Sequence, residues 1–482
     1  MEKWLTMDTW LGDLVNAGNN LLWTYILIGL LLALGIWFTV RSRFVQFRML
    51  KEMVLLLIKG TDHTGFKERK GTTPFQAFAI STAARVGTGN LAGVAIAISV
   101  GGPGAVFWMW MIALVGAATG FVESTLAQMY KVKDKDGFRG GPAYYMEKAL
   151  GKRWMGVLFA ILITLCFGLI FNAVQANTIS QAFTGAYNIH PLIIGFIIAA
   201  MIGIVVYGGI RRIAVVAEVI VPVFAVAYII VAFIIMMINI DQLPGIISLI
   251  VSNALGIREI AGGGIGAALM NGIQRGLFSN EAGMGSAPNA AATSYVKHPV
   301  EQGLVQTLGV FTDTLIICSS TAFIILLADV HTVGEMDGIQ LTQLALNTHL
   351  GSWADALVAI TIFFFAFSSL LGNYYYGETN LQFISESKMY IHVFRIAFLI
   401  MVLVGSMSEI EIIWGLADLF MGSMALVNLI AIALLTKIAV AALDDYQRQR
   451  KLGQTPVFYK NSIPGVRNLE AWERKPNTYK EK

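Results

Sequence analysis

The stretch Pro74 to Gly104, PFQAFAISTAARVGTGNLAGVAIAISVGGPG, constrains this chain more than any other. It is apolar and long enough to enter a bilayer, which takes roughly 20 residues of helix. Its middle nevertheless carries Arg85 and a Gly-Thr-Gly-Asn run that opposes continuous helix. In lipid every backbone N–H and C=O needs an internal partner, so a helix interrupted halfway is tolerated only where the opened backbone lines a cavity or grips a ligand. Taken alone, the glycine spacing also reads as a packing face between helices. A second copy favours the first reading. Gln274 to Gly283, QRGLFSNEAG, sets Arg275, Asn280, Ala282 and Gly283 under Arg85, Asn90, Ala92 and Gly93 of ARVGTGNLAG. Both copies interrupt apolar segments, and paired Gly-broken spans in two halves of a chain point to a midplane binding site.

Composition agrees that the surroundings are lipid. Of 482 residues, 56% are hydrophobic and 13% charged, against roughly a quarter charged in soluble domains. The expectation is an all-α polytopic membrane protein. Its net charge of +4 is sorted by loop and therefore reports orientation; no nucleic-acid partner is expected. Cys166 and Cys318 fall inside apolar spans without metal-like spacing, and no basic stretch leads into a cleavable apolar core near Met1.

In chain order, Trp4, Leu5, Trp10, Leu11, Leu14 and Val15 are spaced like one face of a short interfacial helix. Spans are expected at about 22–40, 73–100, 104–130, 154–183, 191–209, 212–239, 263–292, 300–328, 353–384, 389–407 and 410–437, eleven in all, with a basic surface helix between the first two. Connections near Arg41 to Lys70, Lys131 to Arg153, Arg211 and Arg212, Lys297, Lys388 and beyond Lys437 are basic. Those near Asp329, Glu335, Asp337, Glu409 and Glu411 are acidic. This alternation puts the N-terminus outside and the C-terminus in the cytoplasm of a multi-pass cell-membrane protein. With the first span set aside, the breaks open two sets of five. Five is odd, so the sets face opposite ways, an inverted repeat with the first helix of each broken at mid-membrane. The expected divisions are an N-terminal segment 1–71, a first repeat 72–240, a second repeat 262–440 and a charged, partly disordered tail 441–482.

The same residues carry a resemblance. GGPGAVFWMWMIALVG, Gly101 to Gly116, resembles the signature of the sodium:alanine symporter family, the alanine/glycine:cation symporters. ARVGTGNLAG, RGLFSNEAGMGSA and GFRGGPAYYMEKALG resemble that family too. The resemblance implies a leucine-transporter-type fold, with a small neutral amino acid and a sodium ion held beside the two broken helices and no covalent chemistry or cofactor. Ser368 and Ser369, in FAFSSLLGN, resemble that fold's adjacent hydroxyl pair at a sodium site. On the same carry-over, the carbonyls of Ala83, Val86 and Phe365 complete the site. Hydroxyls and unwound carbonyls are suitable hard ligands for such an ion; taken alone, membrane serines are packing or back-bonding residues.

A zwitterionic amino acid brings a carboxylate, which suits the free N–H groups at the start of a half-helix. Gly87, Thr88, Gly89 and Asn90 are the expected clamp. Acceptors for the ammonium are sought at the second break, from Asn271, Gln274, Ser279 and Asn280, with Gln175 from the span 154–183; Phe171, one turn earlier on that face, is placed to cover the ligand. For Phe171 and Gln175, ordinary interhelical contact is the competing reading. Asn373 precedes three tyrosines where some family members carry Trp, which would make that wall polar enough to admit glutamine as well as alanine or glycine. Arg85, Arg275, Glu123, Glu281, Asp313 and Glu378 are expected as structural pairs or gate elements near the cytoplasmic mouth. A proton-coupled carrier of the same fold is the nearest alternative. A channel fits two broken helices less well, and no HExxH, GxSxG or facing aspartate dyad signals an enzyme.

Overall fold

A computed structural model describes residues 10–59, 71–134, 137–257, 264–330 and 338–473, and the side chains of all of these but Lys59 and Arg211. Trp4 and Leu5 of the expected interfacial helix, Glu335, Asp337 and the basic run from 60 to Lys70 lie outside the described residues.

Helices make up nearly all of what is described. Eight are long and apolar enough to cross a membrane: α1 (Trp10–Arg41), then α5 (Gly104–Met129), α7 (Arg153–Tyr187), α9 (Gly209–Ile238), α13 (Pro299–Leu327), α15 (Ala354–Ile384), α16 (Lys388–Met407) and α17 (Ile410–Lys451). A ninth is the pair α3 (Pro74–Arg85) and α4 (Gly89–Gly101), bent by 50° where they join. The remaining two expected spans take other forms. One is the short apolar α8 (Pro191–Val206), and the other is divided into α11 (Ile265–Asn280) and α12 (Ala287–Thr293). Shorter helices are α2 (Leu50–Lys59), α6 (Pro142–Lys148), α10 (Leu243–Ala254) and α14 (Gly338–Leu350), with single turns at Val45–Arg48 and Ile240–Gln242 and an antiparallel hairpin that pairs Val132–Asp134 with Gly137–Arg139. Along α9 the residues Val215, Val219, Val226, Ile230 and Phe233 point outward and are exposed, an outer face suited to lipid and costly in water.

Two packing groups organise the bundle. Helix α5 lies against α11 and α13, whereas α7 lies against α15 and α16. Helices α3 and α4 run between them: α3 touches α9, α15 and α13, and α4 touches α11.

Both termini depart from expectation. The interfacial helix and first span are one continuous helix from Trp10 to Arg41, whose ladder widens by one residue per turn over Asn20–Leu27. The described part of the tail, to Glu473, packs against the bundle. Beyond α17, the Phe458 N–H donates to the Lys297 carbonyl at 2.9 Å. The Trp472 indole donates to the carbonyls of Gln128 and Met129 at 3.1 and 3.2 Å. The rings of Phe458 and Trp472 meet edge to face at 5.0 Å. Lys131 is buried below them, 4.1 Å from the Phe138 ring centroid and 5.1 Å from that of Trp472, and donates to the Ser294 carbonyl at 2.7 Å. Burial pushes its ammonium down to about 7. Charge content alone predicts disorder here; four aromatic and indole contacts outweigh it. Trp472→Ala is expected to release this segment at a cost of about 3 kcal/mol, read as faster tryptic cleavage at Lys460 and Arg467 by mass spectrometry. Cleavage at the wild-type rate would show that Trp472 does not hold the tail.

Candidate functional site

Helix α3 starts cleanly and stops early. Thr73 and Gln76 exchange hydrogen bonds in a capping box, the Thr73 hydroxyl accepting from the Gln76 N–H at 3.0 Å and the Gln76 side chain from the Thr73 N–H at 3.1 Å, with Pro74 in the first turn. At the other end Val86 is extended (φ −78°, ψ 91°), and helix does not resume until Gly89. The peptide groups this frees find partners in side chains. The Gly87 N–H donates to Asn90 Oδ1 at 2.9 Å. The N–H and hydroxyl of Thr88 both donate to Gln175 Oε1, at 3.1 and 2.7 Å. On the carbonyl side, the Ser369 hydroxyl lies 2.8 Å from Ala83 O, 3.4 Å from Val86 O and 3.1 Å from Phe365 O.

Only glycine fits at 87: a Cβ there would lie 2.2 Å from Ser369 Oγ and 3.0 Å from Gln175 Oε1. The same holds at Gly89, whose Cβ would come within 2.9 Å of the Phe278 ring.

The second break is built differently. Glu281 ends α11 in the left-handed region (φ 57°), its N–H reaching the Leu277 carbonyl at 2.9 Å. Asn280 Oδ1 accepts from the Ala282 N–H at 3.0 Å, and the Ser286 hydroxyl donates to Glu281 at 2.6 Å. Gly283 is clasped from two helices: its N–H donates to Glu123 at 3.1 Å and its carbonyl accepts from Asn428 at 2.9 Å, while Asn428 also donates to Glu123 at 2.8 Å.

A polar knot ties the two breaks together. Asn90 Nδ2 donates to Asp313 at 2.7 Å and to the Ser279 hydroxyl at 3.0 Å. Ser279 donates in turn to the second oxygen of Asp313 at 2.7 Å, where Thr314 adds a bond at 3.1 Å. Cys318 Sγ lies 3.3 Å from Asn90 and 3.1 Å from Ser279. Wide π-type turns gather around this region, at Gly89–Gly93, Cys166–Ile170 and Thr312–Cys318, where such turns commonly mark functional sites. In α7 the widened turn frees the Phe167 carbonyl, which accepts from Asn172 Nδ2 at 2.7 Å.

An aromatic row lies over one side of the first break. Phe171 meets Phe278 at 4.6 Å between centroids, and Phe278 meets Trp414 at 4.6 Å. Beyond Trp414 is a cavity of about 500 Å³ lined by Asn271, Gln274, Arg275 and Asp418. The Arg275 guanidinium stands 4.6 Å from the Trp414 ring and forms a buried ion pair with Asp418. This vestibule opens near the start of α17, at the end opposite the tail. A smaller cavity of about 170 Å³ lies at the tail end, lined by Thr72, Arg139, Thr293, Tyr375 and Thr379 among others.

The residues expected at the site are thus distributed unevenly. Gly87, Thr88, Gly89, Asn90, Gln175, Ser279, Asn280 and Phe171 converge on the two breaks, as do Ala83, Val86, Phe365 and Ser369. Ser368 turns its hydroxyl to the Phe365 carbonyl of its own helix at 2.8 Å. Gln175 is no free acceptor, since Thr88 occupies its oxygen. Asn271 and Gln274 face the vestibule instead, because they precede Phe278 on α11 by two turns and one turn. Arg275 pairs with Asp418, away from the tail-end mouth where it was expected, and Glu378 pairs with Arg395 at 3.4 Å. Asp313 was expected only as part of a structural pair or a gate and Cys318 only inside an apolar span; as a carboxylate within such a span, Asp313 carried the signal for a larger part.

Membrane-length helices, two of them opened against each other around buried polar groups, are the arrangement a membrane transporter uses. Residues 8–460 match the model of the sodium:alanine symporter family, and the chain belongs to that family. It is 57% identical to the probable sodium/glutamine symporter GlnT of Bacillus subtilis (strain 168), over 97% of each chain. It is 36% identical to the sodium/alanine symporter AgcS of Methanococcus maripaludis, over 91% of this chain and 98% of that one. Among solved structures, a manganese transporter from Eremococcus coleocola shares the fold, with a TM-score of 0.52 at 12% identity over 82% of this chain and 90% of that one.

Because a methyl at 87 would collide with Ser369, Gly87→Ala is expected to lower initial uptake at least about tenfold, a factor worth about 1.4 kcal/mol, while the protein still elutes as a folded species in detergent. Uptake at the wild-type rate would mean that the close approach of α3–α4 to α15 is not needed.

Proposed function

We propose that this chain is a sodium-coupled symporter that imports a small neutral amino acid across the cell membrane by alternating access. The observation that carries the proposal is the placement of the Ser369 hydroxyl among three backbone carbonyls, those of Ala83, Val86 and Phe365, at the point where helix α3 is interrupted. An uncharged pocket of hydroxyl and carbonyl oxygens suits a hard monovalent cation. Sodium takes these oxygens, with Ser368 turned inward. The amino-acid carboxylate takes the N–H groups of Gly87 to Asn90, displacing Gln175 from Thr88. The ammonium goes to acceptors around Ser279 and Asn280, and Phe171 covers the ligand.

The topology belongs to the same proposal. Counting α8 and the divided α11–α12 pair as spans gives eleven, read as one extra helix and two inverted sets of five, 72–240 and 262–440. In support of an inside C-terminus, the ordered tail and Lys131, Arg139, Lys148 and Lys297 share one end of the bundle. Asn271 and Gln274 then line the outer entrance.

Relatives named for glutamine and for alanine leave the substrate class as small neutral amino acids, alanine, glycine or glutamine. Proton coupling is the second reading, favoured by Asp313, a buried carboxylate in direct contact with Asn90. Purified protein in liposomes, given labelled alanine, glycine and glutamine under an imposed sodium or proton gradient, separates the two. Sodium-driven accumulation is expected; equal uptake from a proton gradient in sodium-free buffer would reject sodium coupling. Ser369→Ala is expected to raise the sodium concentration for half-maximal uptake about tenfold, equivalent to about 1.4 kcal/mol, with folding retained. Unchanged sodium activation would remove Ser369 from the site.

A further inference from the structure

At the tail end of the bundle an open cavity of about 450 Å³ lies between the Val132–Arg139 hairpin, α6, the start of α7 and the segment that joins α15 to α16, with Glu470 of the tail on its wall. The carboxylates of that wall already have cations. Glu386 is paired with Arg139, Glu470 with Lys148, and Glu147 with Arg153 at 2.5 Å. Two donors have nothing. Arg139 turns Nη1 to Gln382 and Nη2 to Glu386, and its buried Nε has no hydrogen-bond partner. Tyr144 is 5% exposed, its ring set edge to face against Phe383 at 5.0 Å, and its hydroxyl is likewise unpartnered. Lys133 stands exposed on the same wall, its ammonium free among the described residues. Buried donors without acceptors are rare and costly. What these three groups lack is one kind of partner, an anionic oxygen.

The cavity also has a definite depth. On α7 the exposed apolar residues Trp154, Leu158 and Ile161 begin directly after Arg153, and on α16 Met389, Val393, Ile396 and Ile400 begin three residues after Glu386. Their spacing puts each set on one face of its helix, a face suited to lipid. Trp154, at the edge of the first, is the residue type that gathers where acyl chains meet headgroups. Arg153 and Glu386 are on the cavity wall, so the cavity sits where lipid contact starts, at headgroup level.

We propose that this cavity holds the phosphate of an anionic phospholipid from the leaflet on the tail side, with Arg139 Nε and the Tyr144 hydroxyl donating to its oxygens and Lys133 adding charge at the rim. The proposal does not depend on what the protein carries. Hydrogen bonds from a guanidinium to phosphate are charge-assisted, and basic pockets beside membrane helices are suited to lipid head groups. A free phosphate offers the same oxygens, but little draws it from solution: four cations on the wall face three carboxylates, and Asp134 acts on Arg139 from the hairpin. A lipid needs no such draw, because its acyl chains, lying along α7 and α16, hold the headgroup at high effective concentration.

The full chain, purified in detergent, is titrated with dioleoylphosphatidylglycerol, dioleoylphosphatidylcholine or inorganic phosphate, and bound copies are counted by native mass spectrometry. The wild type is expected to retain its first phosphatidylglycerol at a concentration about tenfold below that needed for phosphatidylcholine, whose trimethylammonium would come beside Lys133. Tyr144→Phe keeps the ring and removes only the hydroxyl, and Lys133→Gln removes an exposed charge. Each is expected to weaken phosphatidylglycerol retention several-fold, with elution and thermal unfolding in detergent as for the wild type. Arg43→Gln, which removes a cation paired with Asp444 outside the cavity, is expected to leave retention unchanged. Equal retention of the two lipids, or wild-type retention of phosphatidylglycerol in both cavity variants, overturns the assignment. Loss of retention in Arg43→Gln as large as in the cavity variants overturns it too, since general surface charge would then account for the binding. Displacement of the lipid by inorganic phosphate at millimolar concentration would show a site for a soluble anion and overturn the lipid.

Discussion

The peptide groups released where α3 and α11 stop are the constraint from which the rest follows. In an apolar surround an unpaired N–H or C=O costs several kcal/mol, and these two interruptions free many at once. The chain meets the demand with side chains reaching in from other helices: Gln175 from α7, Ser369 from α15, Glu123 from α5 and Asn428 from α17. Each holds a freed peptide group in place of the next turn of helix. Polar residues on four otherwise apolar helices, and the small residues that let those helices approach, therefore have one common cause.

The two interruptions are satisfied in different ways, and the difference bears on what each can do. At the second break, Glu123 and Asn428 bind each other as well as both faces of Gly283, so the peptide is held by a closed ring of bonds. At the first break the Thr88 N–H depends on one amide oxygen, that of Gln175, and the carbonyl side on one hydroxyl, that of Ser369. A carboxylate and a cation can take over those two positions with no net loss of hydrogen bonds, because each replaces a neutral group by a charged one of the same polarity. Glu123 and Glu281 have no such exchange open to them, and their attachment to Asn428, Gly283 and Ser286 is that of a scaffold.

Legibility in the sequence followed the range of the interaction. Both interruptions could be read locally, since Gly87, Gly89, Gly283 and Gly285 oppose helix wherever they fall; the resemblance to a known family, and not spacing, put Ser368 and Ser369 opposite the first. Contacts between distant helices were out of reach. Nothing in the order of residues brings Asp313 to Asn90 or Asp418 to Arg275, because each match depends on how helices pack and not on their own periodicity. Gln175 was placed on the correct face, and its partner was missed for the same reason. At the ends, composition misled over the described residues: those from Trp10 to Asn20 read as interface and those from Leu452 to Glu473 as partly disordered, yet the first belong to a continuous helix and the second pack on the bundle through Phe458 and Trp472.

The position of the knot and of the serine relative to the two packing groups gives the proposed cycle a mechanical basis. Asn90, Ser279 and Asp313 bond α4, α11 and α13 to one another, and α5 packs on α11 and α13, so the proposed cycle takes these helices as one body. The bonds from Thr88 to Gln175 and from Ala83 to Ser369 instead cross to α7 and α15, in the other group. A ligand can shift an equilibrium only through a difference in its affinity for the two states. A cation held at once by carbonyls of one group and a hydroxyl of the other supplies such a difference, since sliding one group past the other removes part of its coordination. The Thr88–Gln175 bond lies in the same seam. Coupling between ion and amino acid then needs no direct contact, because both act on the alignment of the same two bodies.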